Sequence, residues 1–174
     1  MKNILIILML LTTVTLSSCD KEYGVFYSDN RPAVPVTYPG TTTHGFNPYI
    51  THSISGGGNI TFTLSIPENS GRTIREITKV VAGGTSINAG NVGSAVVGGT
   101  GATAAYNTAP ISGNGTTATF TTNLDEFAAK TGEAAKTDAN KLIKAGGEIA
   151  FMFMITLDNN ETIIPVQVRA RLVQ

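Results

Sequence analysis

Two runs near the C-terminus constrain the fold more than anything else in the chain. Residues 149–157 (Ile-Ala-Phe-Met-Phe-Met-Ile-Thr-Leu) put Ile149, Phe151, Phe153, Ile155 and Leu157 on one face of an extended strand. The opposite face, with Ala150, Met152 and Met154, is apolar too. Such a strand must be covered on both sides, either central in a packed sheet or lying beneath a helix. Asp158-Asn159-Asn160-Glu161 then supplies turn chemistry. Beyond it Ile164, Val166, Val168, Ala170 and Leu172 alternate with Gln167, Arg169 and Arg171. The pattern predicts a hairpin with the aliphatic set facing in.

Upstream segments repeat the strand signal. Ile50, His52 and Ile54 alternate with Thr51, Ser53 and Ser55; after Gly56-Gly57-Gly58-Asn59, Ile60, Phe62, Leu64 and Ile66 alternate with Thr61, Thr63 and Ser65. Two alternating runs around a glycine loop predict another hairpin. Residues 74–81 fit a strand, although Ile74, Ile77 and Val81 also fit helical spacing, and the Thr-rich run 116–122 carries Ala118 and Phe120. Asn123 can cap a helix with Asp125 and Glu126 in its first turn and Gly132 after it, and Thr137 can cap a second one ending near Gly146.

The expected fold is therefore mainly β: a β-sandwich with one or two short helices inserted before the C-terminal hairpin. The closing hairpin resembles the last two strands of immunoglobulin-like or fibronectin-type modules of bacterial surface proteins. The buried Trp and paired cysteines of antibody domains are absent, so this resemblance concerns architecture and implies no function.

The N-terminus has a different logic. Lys2 precedes a 13-residue, mostly apolar run, Ile4 to Leu16, shorter than the roughly 20 residues that span a bilayer. It has the form of a signal peptide. Leu16-Ser17-Ser18-Cys19 follows, and Cys19 is the one cysteine in the chain. This tetrapeptide resembles the lipobox of bacterial lipoproteins: an aliphatic residue, two small ones, then Cys. The resemblance implies cleavage between Ser18 and Cys19, lipidation of the Cys19 thiol, and acylation of the new amino group. Two or more acyl chains give stable anchoring. Asp20-Lys21-Glu22 resembles the export signal of Bacteroidota-type surface lipoproteins, which implies the outer membrane or cell surface; in enteric bacteria an Asp at that place instead resembles an inner-membrane retention signal.

The domain organisation expected is a signal peptide over 1–18, the lipidated Cys and a Pro-rich tether over 19–47, and a sandwich over 48–174 with a Gly-rich insertion near 83–115. Pro32, Pro35, Pro39 and Pro48 mark the tether and its edge, although 33–36 also suits a short edge strand. Nine glycines fall within 83–115. Long loops of that kind often carry function.

Charge and motifs limit the function classes. Twelve Lys and Arg face twelve Asp and Glu, and nucleic-acid binding requires a basic surface. His44 and His52 are the only histidines, with no zinc spacing between them. His52 shares an apolar strand face and is expected in the core or at its rim. Asp158 to Glu161 cluster oxygens without the spacing of a calcium loop. Asp125 and Glu126, adjacent on a helix, point about 100° apart and form no paired-carboxylate site. No catalytic motif, cofactor site or metal site is expected. Five tyrosines and no tryptophan offer few platforms for a sugar, though Tyr23, Tyr27, Tyr38 and Tyr49 gather near the tether. The expectation is a non-enzymatic binding or structural accessory of the envelope, joined to the membrane through Cys19 and to a protein partner through its loops. The alternative is a carbohydrate-binding or uptake accessory. The sequence names no ligand-binding residue.

Overall fold

The computed structural model describes residues 32–44 and 47–174. The signal, the lipobox and most of the expected tether lie outside the described residues. The domain is mainly β, a sandwich with two short α-helices. Its strands are β1 (Thr42–His44), β2 (Asn47–Ser53), β3 (Ile60–Ser65), β4 (Ile74–Gly83), β5 (Ile111–Ser112), β6 (Thr117–Thr122), β7 (Glu148–Leu157), β8 (Thr162–Ile163) and β9 (Val168–Val173). The helices are α1 (Ala89–Ser94) and α2 (Leu124–Thr131).

One sheet runs β1-β2-β9-β7-β4-β5, with β8 also on β7; the other is the ribbon β3-β6. Strand β2 lies parallel to β9, while the other strand pairings are antiparallel. Thr37 bridges Ser65 of β3, so the entering chain touches the ribbon first and then crosses to the larger sheet. β7 of the larger sheet packs against β3 and β6 of the ribbon through their aromatic side chains, so the two sheets form a sandwich.

Between the sheets lies an aromatic core. Phe151 is its hub, with ring centroids 5.4 Å from Phe62, 5.6 Å from Phe120, 5.8 Å from Phe127 and 6.1 Å from Tyr106. Phe153 packs on Phe120 and Tyr38. The register expected for β7 is therefore the observed one. Its second apolar face is also closed: Ala150 and Met152 are buried, and α1 packs across β7 and β4 with Val92 fully enclosed.

Four expectations need correction. The runs around Gly56–Asn59 are both strands but not a hairpin, because β2 joins β9 and β3 joins β6. Alternation specifies a face and says nothing about the neighbour. The C-terminal return strand is broken into β8 and β9. Pro165 has no N–H for the ladder, and the break changes parity, so Ile163 faces in where Ile164 was expected and Val166 is exposed. Tyr38 donates its hydroxyl to the Val166 carbonyl freed there, at 2.9 Å. The chain also enters the domain earlier than its prolines suggest: the compact unit starts at Val34, and Val34 and Tyr38 belong to the core. Finally, the helix expected after Thr137 is only a 3-10 turn, Asp138–Asn140, with no side-chain cap.

The Gly-rich stretch is not an external loop. It holds α1 and β5, and it sends Tyr106 into the core. Asn107 is buried: its Oδ1 accepts Val80 N–H at 2.8 Å and its amide donates to Thr78 O at 3.1 Å. Asn88 caps α1 reciprocally with Asn91. One glycine is there for close approach, since a Cβ on Gly113 would stand 1.9 Å from the Ile74 carbonyl oxygen.

Candidate functional site

Two connections meet at one end of the sandwich. The first is the Gly56–Asn59 loop between β2 and β3. The second leaves β6 through α2 and returns to β7 after residue 147. Between them lies a cleft of about 590 Å³, within the size range of small-molecule sites. Its polar lining comes from His52, Asn59, Asn123, Asp125 and Lys141; Ile54, Leu124 and Ile143 supply aliphatic patches.

Each wall has a local cause. Asn123 caps α2, its Oδ1 accepting Glu126 N–H at 2.8 Å. That cap fixes Asp125 in the first turn, exposed, at the cleft. Gly132 then ends the helix in the left-handed region, φ 73°. Next comes Glu133, which is 1% exposed. One carboxylate oxygen takes the Lys136 ammonium, and the other accepts Leu142 N–H at 2.7 Å. A buried carboxylate bonded on both oxygens ties the connection to itself, and so sets where Lys141 and Ile143 stand. Gly147 permits the tight return, because a Cβ there would lie 2.1 Å from the Leu142 carbonyl oxygen.

His52 is the unusual member. It is 8% exposed, and its Nε2 has no hydrogen-bond partner, the one such buried side-chain atom among the described residues. Buried polar atoms are nearly always satisfied, because an unpaired one costs about 1–3 kcal/mol. Asp125 likewise has no ion-pair or hydrogen-bond partner among the described residues. Lys141 is paired, with Asp138 at 3.1 Å.

A second cleft, of about 460 Å³, lies between the Gly-rich segment and the same connection, bounded by Gly83, Gly99, Ala105, Lys130 and Lys136. Both its lysines are engaged. Lys130 contacts Glu126 at 2.7 Å, donates to Tyr106 O at 2.9 Å and sits 4.6 Å above the Tyr106 ring. Thr122 donates to Glu126 at 2.8 Å and pairs with the Tyr106 hydroxyl. The ring Tyr106–Thr122–Glu126–Lys130 is thus closed on itself. Lys130 holds the Glu126 carboxyl below the usual range, and burial pushes the Tyr106 phenol up to about 12.

The other perturbed carboxylate, Glu148, is on the outer face of the large sheet. Burial would raise its pKa, but Arg171 at 2.6 Å and Arg169 at 2.9 Å outweigh that and lower it. Arg171 also stacks on Tyr49, 3.7 Å from the ring centroid.

The structure separates the remaining sequence candidates. His44 ends β1, in register with Asn47 of β2. Asp158 to Glu161 form a hydrogen-bonded turn, with Asn159 and Glu161 N–H groups donating to Asp158 and Asn159 side chains. Asp125 and Glu126 diverge as expected, one to the cleft and one to Tyr106. Of the tyrosines near the tether, Tyr38 is in the core and Tyr49 lies under Arg171; Tyr23 and Tyr27 are outside the described residues, as are Ser18 and Cys19. Among the described residues, no three His, Cys, Asp or Glu side chains come together to hold a metal ion, and no helix is long and apolar enough to cross a membrane. Sequence reasoning placed His52 and Asp125 singly and missed their convergence. Asn59 and Lys141 carried no signal of a shared cleft.

Compared with protein-family models, with curated proteins and with solved structures, the chain matches none of them.

Proposed function

We propose that this protein is a lipid-anchored, non-enzymatic binding or structural accessory module of the cell envelope. The lipobox-like Leu16-Ser17-Ser18-Cys19 supports the anchor, and Asp20-Lys21-Glu22 favours the outer membrane or cell surface. The observation that carries the binding role is the cleft at the end of the sandwich, where His52 keeps a buried nitrogen unsatisfied. Binding residues gather on connections held by a rigid scaffold. The side chains with shifted pKa values, Tyr38, Tyr106, Glu126 and Glu148, support the non-enzymatic reading, since each sits in the core or in a structural network rather than in an open reactive site.

Two measurements test the proposal. Metabolic labelling with a clickable fatty acid should mark the wild type and not Cys19→Ala, with the variant leaving the membrane fraction; equal labelling of both removes the anchor. In cells, a photo-crosslinking residue at Asn59 should capture an envelope macromolecule that one at Thr119 does not. No crosslinked species from Asn59 removes the binding role.

A further inference from the structure

The chemistry of the His52 cleft narrows the class of ligand. The cleft presents short-range hydrogen-bonding groups interleaved with aliphatic patches: the His52 imidazole, the Asp125 carboxylate, and the Asn59 and Asn123 carboxamides, beside Ile54, Leu124 and Ile143. Asn123 spends its oxygen on the α2 cap, which leaves its –NH₂ as a donor. The Asp125 carboxylate is an acceptor with nothing to accept from, and His52 Nε2 is screened from bulk water with no partner. These groups call for a ligand that both donates and accepts at several closely spaced points.

Charge removes other classes. Lys141, the one cation lining the cleft among the described residues, is already paired with Asp138. Asp125 stands in the same lining with no partner of its own among the described residues, so an anionic ligand would meet an uncompensated carboxylate. A large apolar side chain would find Ile54, Leu124 and Ile143 in a lining that also holds His52, Asn59, Asn123, Asp125 and Lys141, so seating it there would desolvate polar groups as well. A pyranose chain alternates hydroxyls with C–H faces and satisfies both sets at once. We infer that the His52–Asp125 cleft is a subsite for an uncharged polyhydroxylated ligand, a short oligosaccharide. His52 and Asp125 bond its hydroxyls, and the aliphatic patches take its C–H faces. Glu133 touches nothing in the ligand and acts as a positioning residue for the wall that carries Lys141 and Ile143.

This inference rests on the binding role proposed above and gives it a chemistry. No Phe, Tyr or Trp among the described residues lines the cleft, so stacking on a benzenoid or indole face is missing and binding is weak. The fold itself supplies a check. A histidine kept for stability loses a partner when replaced, whereas His52 has none to lose; exchanging an unsatisfied buried polar group for an apolar one is neutral or stabilising.

The test uses the full-length protein in detergent, with maltotriose, cellotriose and chitotriose as probes and saturation-transfer NMR as the readout. At least one trisaccharide should bind, with affinity reduced about tenfold or more by His52→Leu and by Asp125→Ala. His52→Leu should melt at the wild-type temperature or above it, and exposed Asp125→Ala should leave melting unchanged. Binding by none of the three, or binding that neither substitution weakens, overturns the subsite. Binding of the diamine cadaverine in place of the sugars also overturns it, since Asp125 then takes an ammonium ligand. A protein captured from Asn59 alongside silent sugars would leave the binding role standing and remove this inference alone.

Discussion

The outer faces of the two sheets are built from opposite materials. On the larger sheet, β7 turns Ala150 and Met152 outward, and α1 with the Gly-rich chain lies over them. On the ribbon, β3 and β6 turn out Thr61, Thr63, Thr119 and Thr121, paired across the strands at 3.3 and 3.4 Å, and Thr61, Thr119 and Thr121 are exposed. Both inner faces feed one aromatic core, so the difference lies wholly in the outward residues. Apolar side chains left in water cost about 25 cal/mol per Å², and the chain covers them with its own longest connection. Threonines suit a half-solvated pleat and need no cover. A Gly-rich segment of this length is then a structural layer of the sandwich, although its composition resembles a free loop.

Three experiments press on that contrast, taken from the largest expected effect to the smallest. Replacing residues 85–112 with a short Gly/Ser linker removes Val92, Tyr106, Asn107 and β5 together. Burying Tyr106 and Val92 alone is worth about 1.5–3 kcal/mol each, a large share of the 5–15 kcal/mol that holds a domain. The shortened chain should lose cooperative thermal unfolding; a wild-type-like melt would return the segment to the status of a dispensable insertion.

Glu148→Gln tests the polar end of the covered face. It weakens Arg169 and Arg171 at once and should cost about 1 kcal/mol at neutral pH, since all three side chains are partly solvated. The folded-state pKa of Glu148 is lowered, so its contribution is present above the unfolded carboxylate pKa and disappears as pH falls through the folded value. The gap between wild type and variant in chemical denaturation should therefore close on acidification below the usual carboxylate range. A gap that persists there would assign the loss to packing. Thr119→Val should change stability by no more than about 0.5 kcal/mol, because the exposed Thr63–Thr119 contact competes with water. A loss above 1 kcal/mol would show that the bare ribbon face is held by its threonines after all.

Part of the candidate site was legible in the sequence. Asn123, with Asp125 and Glu126 behind it and Gly132 at the end, specifies α2 through capping, which is a local interaction. His52's inward register followed from Ile50 and Ile54. What could not be read was that the β2–β3 loop and the β6–β7 connection share one end of the domain, because β2 pairs in parallel with a strand more than a hundred residues later. Lys141 and Glu133 gave no signal because their roles depend on a tight return, around Gly147, whose closeness is a tertiary fact.

The sequence by itself determined β2, β3, β6 and β7, the faces they bury, and the caps of α2. Those follow from side-chain periodicity and from hydrogen bonds between residues a few positions apart. Only the tertiary structure decided which strands became neighbours, that Pro165 would split the return strand, that the Gly-rich segment would become a covering layer, and that His52 and Asp125 would line one cleft. Hydrophobic burial is non-directional: it fixes that a face is covered and leaves the choice of cover to the packing of the whole chain.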